Sequence, residues 1–286
     1  MQATTGAGRY VVSQDGTRIW ADVAGNKSGI PVIFIHALAC SAVVWDKQFS
    51  DRNLLDNLYM IKYELRGHGR SDHPLTAESY TTQKYAEDFM AVSEAFGVVK
   101  PFVSYGAFVP VDVAETFGPD HISGVVFSGG PGLTQDLHRE KAHPYLAQIL
   151  PTLQTTDANQ LPHAADVFVD SCVKDPQHNL PYESRLQWLA SFLMQSPTVR
   201  KYTVSRIQST ARWEREFTHK PHLLMQGTDD LHSQVDKIVA VSKRVFSNLE
   251  VVVLEGVGHA VCWEVPERHN ALLLDFVRRH CANAVV

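Results

Sequence analysis

The chain opens on alternating apolar and polar positions. In GRYVVSQDGTRIWADVAG, residues 8–25, the alternation runs either side of an Asp15-Gly16 turn signal and predicts an antiparallel hairpin. The pattern then changes. IPVIFIHA, residues 30–37, is an unbroken β-branched apolar run, as expected of a strand covered on both faces. NLYMIKYELRGHG predicts a second strand ending in a glycine-rich turn, and ISGVVFSGG, KPHLLMQGTDD and LEVVVLEGVGH predict further buried strands. TTQKYAEDFMAVSEAFG has helical spacing and stops at Gly97. PERHNALLLDFVRRH predicts a closing helix, with Pro266 near its start and Arg278, Arg279 and His280 in its last turn. Strands alternating with helices imply right-handed crossovers, hence an α/β fold with a mostly parallel central sheet and helices on both faces.

One stretch departs from this rhythm. From about Pro131 to Glu216, HPYLAQILPTLQ, AADVFVDSCVKD, ESRLQWLASFLMQS and TVSRIQSTARWEREF are all helix-like, and no buried-strand pattern occurs. The stretch lies between two core strands. It is therefore predicted to be a helical lid inserted above one edge of the sheet. The chain divides into a core of residues 1–130 and 217–286 and a lid of residues 131–216.

Composition narrows the function classes. The chain has 286 residues, 44% hydrophobic and 20% charged, ordinary values for a globular protein. A formal net charge of −5 leaves no broad basic field for nucleic acid or an anionic membrane. The longest apolar runs are too short to span a bilayer. The start MQATTGAGRYVVSQDG has no basic segment followed by an apolar one, so a cytoplasmic protein is expected. Cys40, Cys172, Cys262 and Cys281 lack C-x-x-C spacing, which predicts free thiols rather than a zinc or redox site. No phosphate loop, flavin motif or metal set is recognisable, so no cofactor is expected and the partner is a small-molecule substrate.

Four segments carry candidate chemistry: FIHALACSAVVW, ELRGHGRSDHP, QGTDD and EGVGHAVCWEVPE. Their order and spacing, from about Gly8 to Phe276, resemble the α/β-hydrolase superfamily with a helical lid. The resemblance implies an eight-stranded-type central sheet. It matches the first segment to the family's oxyanion loop, the second to its Arg-Gly-His-Gly turn, and the last two to the loops bearing the triad acid and histidine. A serine hydroxyl needs a base beside it, and the base an acid to fix its tautomer. In this family they come in the order Ser, acid, His. Ser104, Asp230 and His259 follow that order, with Asp229 and Asp136 as competing acids. Gly256 and Gly258 before His259 predict a tight loop after a strand. The family implies oxyanion donors at the N–H groups of Leu38 and Tyr105. Ala37 replaces the family's glycine, at a position where a positive φ would be strained for alanine. RGHGRS is read as a structural turn.

The nucleophile segment, KPFVSYGAFVP at 100–110, admits two registers. The elbow of this family reads G-x-S-x-G. In the first register Ser104 is the nucleophile, Gly106 the glycine after it, and the following helix starts at Ser104 and ends at Gly118. Phe102 then stands where a glycine is needed, Pro101 comes about three residues too close to the serine, and the strand must draw in Gly97-Val98-Val99. In the second register Ser104 takes the first glycine's place and Gly106 the serine's, which leaves no nucleophile and a shorter helix. The first register is the expectation carried forward. It implies a serine hydrolase acting on an ester, lactone or thioester of a small, uncharged, fairly apolar molecule. Peroxidation of halides and C–C bond hydrolysis use the same parts. The alternative is a non-catalytic, ligand-binding member of the fold. Trp45, Trp188 and Trp263, with Ala37, are the expected substrate-binding residues, and the lid's Phe168, Leu189, Phe192, Leu193 and Met194 add to its apolar character.

Overall fold

In the computed structural model, which describes residues 8–105, 108–130 and 134–282, eight strands form one sheet. They are β1 (Arg9–Val12), β2 (Arg18–Gly25), β3 (Ile30–Ile35), β4 (Leu58–Tyr63), β5 (Phe102–Tyr105), β6 (Gly124–Ser128), β7 (His222–Gly227) and β8 (Leu249–Leu254). Their order across the sheet is β1-β2-β4-β3-β5-β6-β7-β8. The β1–β2 hairpin and the β2–β4 pair are antiparallel, and every other pair is parallel.

The unbroken apolar runs follow from burial on both faces. Val32, Phe34, Met60, Phe102, Val126 and Leu223 point to one side, where the closing helix Pro266–Ala282 packs through Leu273 and Phe276. Ile33, Ile35, Ile61, Val103, Val125 and Leu224 point to the other, against the helix Thr82–Ala95 through Phe89 and Val92. The hairpin, the alternation of strands and helices, and the closing helix are as the sequence predicts.

β5 differs from the first register. Ser104 does not start a helix. It is a strand residue, level with Phe34 on β3 and Val126 on β6. The helix begins only at Val109, with Pro110 in its first turn, and ends at Phe117 before Gly118, whose φ of 99° suits glycine. Nor does the strand draw in residues 97–99. Val99 is exposed, and Lys100 adopts a left-handed φ of 48°, which stops the extension. Pro101 stands just before the strand, where its missing N–H costs no ladder bond. Phe102, the residue that spoils an elbow read around Ser104, has a packing role instead. Its ring meets Phe276 edge to face at 6.1 Å. It also covers Gly124, where a Cβ would come within 3.0 Å of it.

Between β6 and β7 the described residues form a series of helices, the longest being Leu161–Ser171, Tyr182–Met194 and Pro197–Ser205. They build an apolar cluster of their own with Leu146, Ile149, Phe168 and Phe192, and it closes on Ala39 in the loop after β3. Polar contacts tie them to the core. Ser41 Oγ lies 2.7 Å from Ser191 Oγ. Arg206 donates twice to the buried Asp112, at 3.0 and 2.8 Å.

Candidate active site

The loops after β7 and β8 bring an acid and a base together. Asp230 Oδ2 lies 3.0 Å from His259 Nδ1. Gln226 Nε2 donates to the same oxygen at 2.6 Å. The other oxygen accepts the backbone N–H groups of His232 at 2.6 Å and Ser233 at 3.2 Å. Burial alone would raise the pKa of this carboxyl, but His259 and the other donors outweigh it and hold Asp230 well below the usual carboxylate range. Asp229 points elsewhere and pairs with Lys174 at the surface. Asp136 is exposed and pairs with Arg139.

His259 owes its place to the glycines before it. Gly258 runs so close to Val173 and Lys174 that a Cβ would meet Lys174 N at 2.5 Å. The N–H of Gly258 donates to Glu264 Oε1 at 3.0 Å, and that of Ala260 to Cys172 O at 2.7 Å. With Nδ1 facing the acid, Nε2 is the nitrogen suited to take a proton. The His232 ring lies 4.1 Å from that of His259, centroid to centroid. His232 Nε2 is 2.8 Å from Ser171 Oγ, and burial lowers its pKa well below the ordinary histidine value.

His259 lines a cavity of about 310 Å³. Its walls are largely apolar and include Leu38, Val44, Trp45, Leu146, Phe168 and Trp188. Its polar groups include His138, Lys141, His232 and Ser128. Cys40, Cys172 and Cys262 also reach it, but burial raises all three thiols, Cys40 and Cys262 to about 12. They are weak nucleophiles in that state. Among the described residues no cluster of three histidine, cysteine or acidic side chains is arranged to hold a metal ion.

The sequence-predicted residues divide. Ala37, Leu38, Trp45 and Trp188 line the cavity with His259. Trp263 stands behind the wall, edge to face with Trp188 at 5.3 Å and under Lys47 Nζ at 4.2 Å. In the loop after β3 the positive φ falls on Ala39, at 53°, and not on Ala37. The N–H of Ala39 donates to His68 Nε2 at 3.3 Å, and Gln195 Nε2 lies 3.0 Å from the same nitrogen. The RGHGRS turn thus braces that loop, and the buried Arg66–Asp88 pair at 2.6 Å holds the turn.

Ser104 is set apart from the acid–base pair. It is fully buried, it does not line the cavity, and its hydroxyl has no hydrogen-bond partner among the described residues. Val126, its neighbour on β6, precedes the cavity-lining Ser128 by two residues, so Ser104 sits about 7 Å below that level of the sheet. The backbone of Tyr105 ends β5 level with Ile35, inside the strand ladder and not behind a helix-starting serine. Gly106 and Ala107 lie outside the described residues. Sequence reasoning missed His138, Lys141 and His232. Only His232, two residues after the acid, had a positional signal.

Comparison with known proteins agrees with this architecture. Residues 30–266 match the family described as alpha/beta hydrolase fold. The non-heme chloroperoxidase of Streptomyces lividans is 25% identical over 297 aligned residues, 94% of this chain and 99% of that protein. A candidate aryl esterase from Burkholderia cenocepacia superposes with a TM-score of 0.86 at 27% identity, over 96% of this chain and 99% of that one. The esterase RhEst1 from Rhodococcus sp. ECU1013 superposes with a TM-score of 0.85 at 24% identity, over 96% and 99%, a likeness of fold alone.

Proposed function

The chain belongs to the alpha/beta hydrolase fold family, and from that premise we propose that it hydrolyses an ester-like bond of a small, uncharged, fairly apolar molecule with water, not Ser104, as the nucleophile. The observation that carries this reading is the Asp230–His259 pair at 3.0 Å on the wall of an apolar cavity. His259 Nε2 takes a proton from a water molecule as that water attacks the carbonyl carbon. Asp230 holds the ring in the Nδ1–H form and stabilises the imidazolium. The N–H of Leu38 receives the charge developing on the carbonyl oxygen. Helices between residues 135 and 216 act as the lid that keeps bulk water from the site.

Magnitudes set the expected activity. A placed general base contributes about 10²–10⁴-fold, and an oxyanion donor about 3–4 kcal/mol. Without a covalent intermediate the enzyme is a slow one. The family likeness and the esterase among the compared structures support the bond type. The binding-protein alternative has one observation of its own: the position after β5 is glycine, which has no side chain to react.

Aryl and alkyl esters and lactones, assayed with the wild type and with His259→Ala, test the proposal. We expect slow turnover that the substitution abolishes, without a burst of acyl-enzyme. Silence towards every ester, combined with thermal stabilisation by the same compounds, would replace the hydrolase reading with the binding one.

A further inference from the structure

Lys141 is a cavity group that general-base hydrolysis leaves unused. It ends the helix Gln135–Lys141, is 2% exposed, and lines the cavity beside His138, His232 and His259. Its Nζ donates to Ser233 Oγ at 2.8 Å, its one hydrogen-bond partner among the described residues, and no carboxylate among them forms an ion pair with it. The amine is held in a fixed frame. Gln234 N–H donates to Lys141 O at 2.9 Å, and His143 N–H to His232 O at 3.0 Å, so the segment is bound to the loop that carries Asp230. Beside the amine stands Gly130, where a Cβ would come within 3.3 Å of Nζ.

An ammonium group carries three N–H donors and no lone pair. With a single acceptor among the described residues and little exposure, its charged form is poorly served, whereas a neutral amine needs one acceptor and keeps a lone pair to offer. Burial lowers the amine from 10.5 to about 8, opposed only by the charge of Asp230. At pH 8 about half of it is free base, against less than about a hundredth of an ordinary lysine. The Lys141 charge in turn pushes His138 well below the ordinary histidine value.

We propose that Lys141 is an imine-forming amine through which the cavity captures a small, uncharged aldehyde or ketone. The Nζ lone pair adds to the carbonyl carbon, a C–N bond forms, and the carbonyl oxygen takes up a proton to give a carbinolamine. Loss of that oxygen as water, with loss of the remaining nitrogen proton, leaves a C=N bond. Amine and carbonyl become imine and water, with no change of oxidation state. A buried, desolvated lysine is the form in which this nucleophile is activated. The apolar walls select the carbonyl compound, and His138 and His232, the two histidines that feel the Lys141 charge, are placed to pass protons. This activity uses a different group and forms a different bond from ester hydrolysis, and it stands or falls separately.

Reductive trapping tests it. The intact protein is incubated at pH 8 with 2-butanone or phenylacetaldehyde and sodium cyanoborohydride, and the adduct is located by peptide mass mapping. Of the eleven lysines, Lys141 should be alkylated at least about tenfold faster than any other, because its free-base fraction is higher. Lys141→Arg should abolish that adduct, and His259→Ala, which removes the base of hydrolysis, should keep it. Alkylation spread over the exposed lysines with Lys141 no faster would overturn the proposal, as would a dominant adduct that survives Lys141→Arg. If the variant melts early, the wild-type map decides alone, since it reads the modified residue directly.

Discussion

The carboxyl ends of β7 and β5 lie in the parallel part of one sheet and meet opposite demands. Beyond β7, Asp230 is buried yet accepts from Gln226, His232, Ser233 and His259, so each of its oxygens has partners. On β5, Ser104 is equally buried between Phe34 and Val126, and its hydroxyl has no partner. The first region spends stability on a charged arrangement that packing does not need. The second is an ordinary strand whose polar atom does nothing that its neighbours record. A hydrogen-bonded acid–base pair can thus stand beyond one strand while a neighbouring strand is core, because β5 packs through Phe102 and Val103.

Four substitutions break or sharpen this contrast. The largest effect belongs to His259→Ala, which should lower ester turnover by about 10²–10⁴-fold with the circular dichroism spectrum unchanged. Phe102→Ala should cost about 3–5 kcal/mol in urea denaturation, as a buried ring on Phe276 does when removed. A loss below about 1 kcal/mol, the cost of an uncritical site, would return Phe102 to a surface elbow.

Lys141→Met should stabilise the protein. Burial lowers the amine from 10.5 to about 8, and at about 1.4 kcal/mol per pH step this is a penalty of roughly 3 kcal/mol. The folded state binds the proton less well than the unfolded one. The penalty is therefore complete below about pH 8 and disappears as the pH rises towards 10.5. Losing the bond to Ser233 returns about 1 kcal/mol. Thermal melts should show a gain of about 2 kcal/mol at pH 7 that fades across that window. A variant less stable than the wild type at pH 7 would contradict it. Ser104→Ala should have the smallest effect, within about 1 kcal/mol, because an unpartnered hydroxyl contributes no bond.

These contrasts follow how far the sequence could be read. Glycines at fixed offsets and strand-end positions located Asp230 and His259, because a tight loop after a buried strand leaves few alternatives. The apolar runs located the strands for a similar reason: burial on both faces is written into every residue. The sequence places Ser104 at a helix start rather than in a strand because G-x-S-x-G can be entered at either end, and Gly106 satisfies it as a flanking glycine as readily as it occupies the central position. Strand pairing decides between the two, and pairing is a long-range property: level contacts with Phe34 and Val126 appear in no local pattern. Lys141 was invisible for the same reason, since its partner Ser233 is 92 residues away. Trp263 has the right distance from His259 along the chain but turns its ring to Trp188 and Lys47.

The central claim is that Ser104 is a strand residue and that the position after β5, residue 106, carries no nucleophile. Active-site labelling with a fluorophosphonate probe tests it most directly, applied to the wild type, Ser104→Ala and Gly106→Ser. The account predicts no labelling at residue 104 in the wild type, no difference between the wild type and Ser104→Ala, and new labelling in Gly106→Ser at the introduced hydroxyl. Labelling of the wild type that Ser104→Ala abolishes would contradict it and make Ser104 the nucleophile.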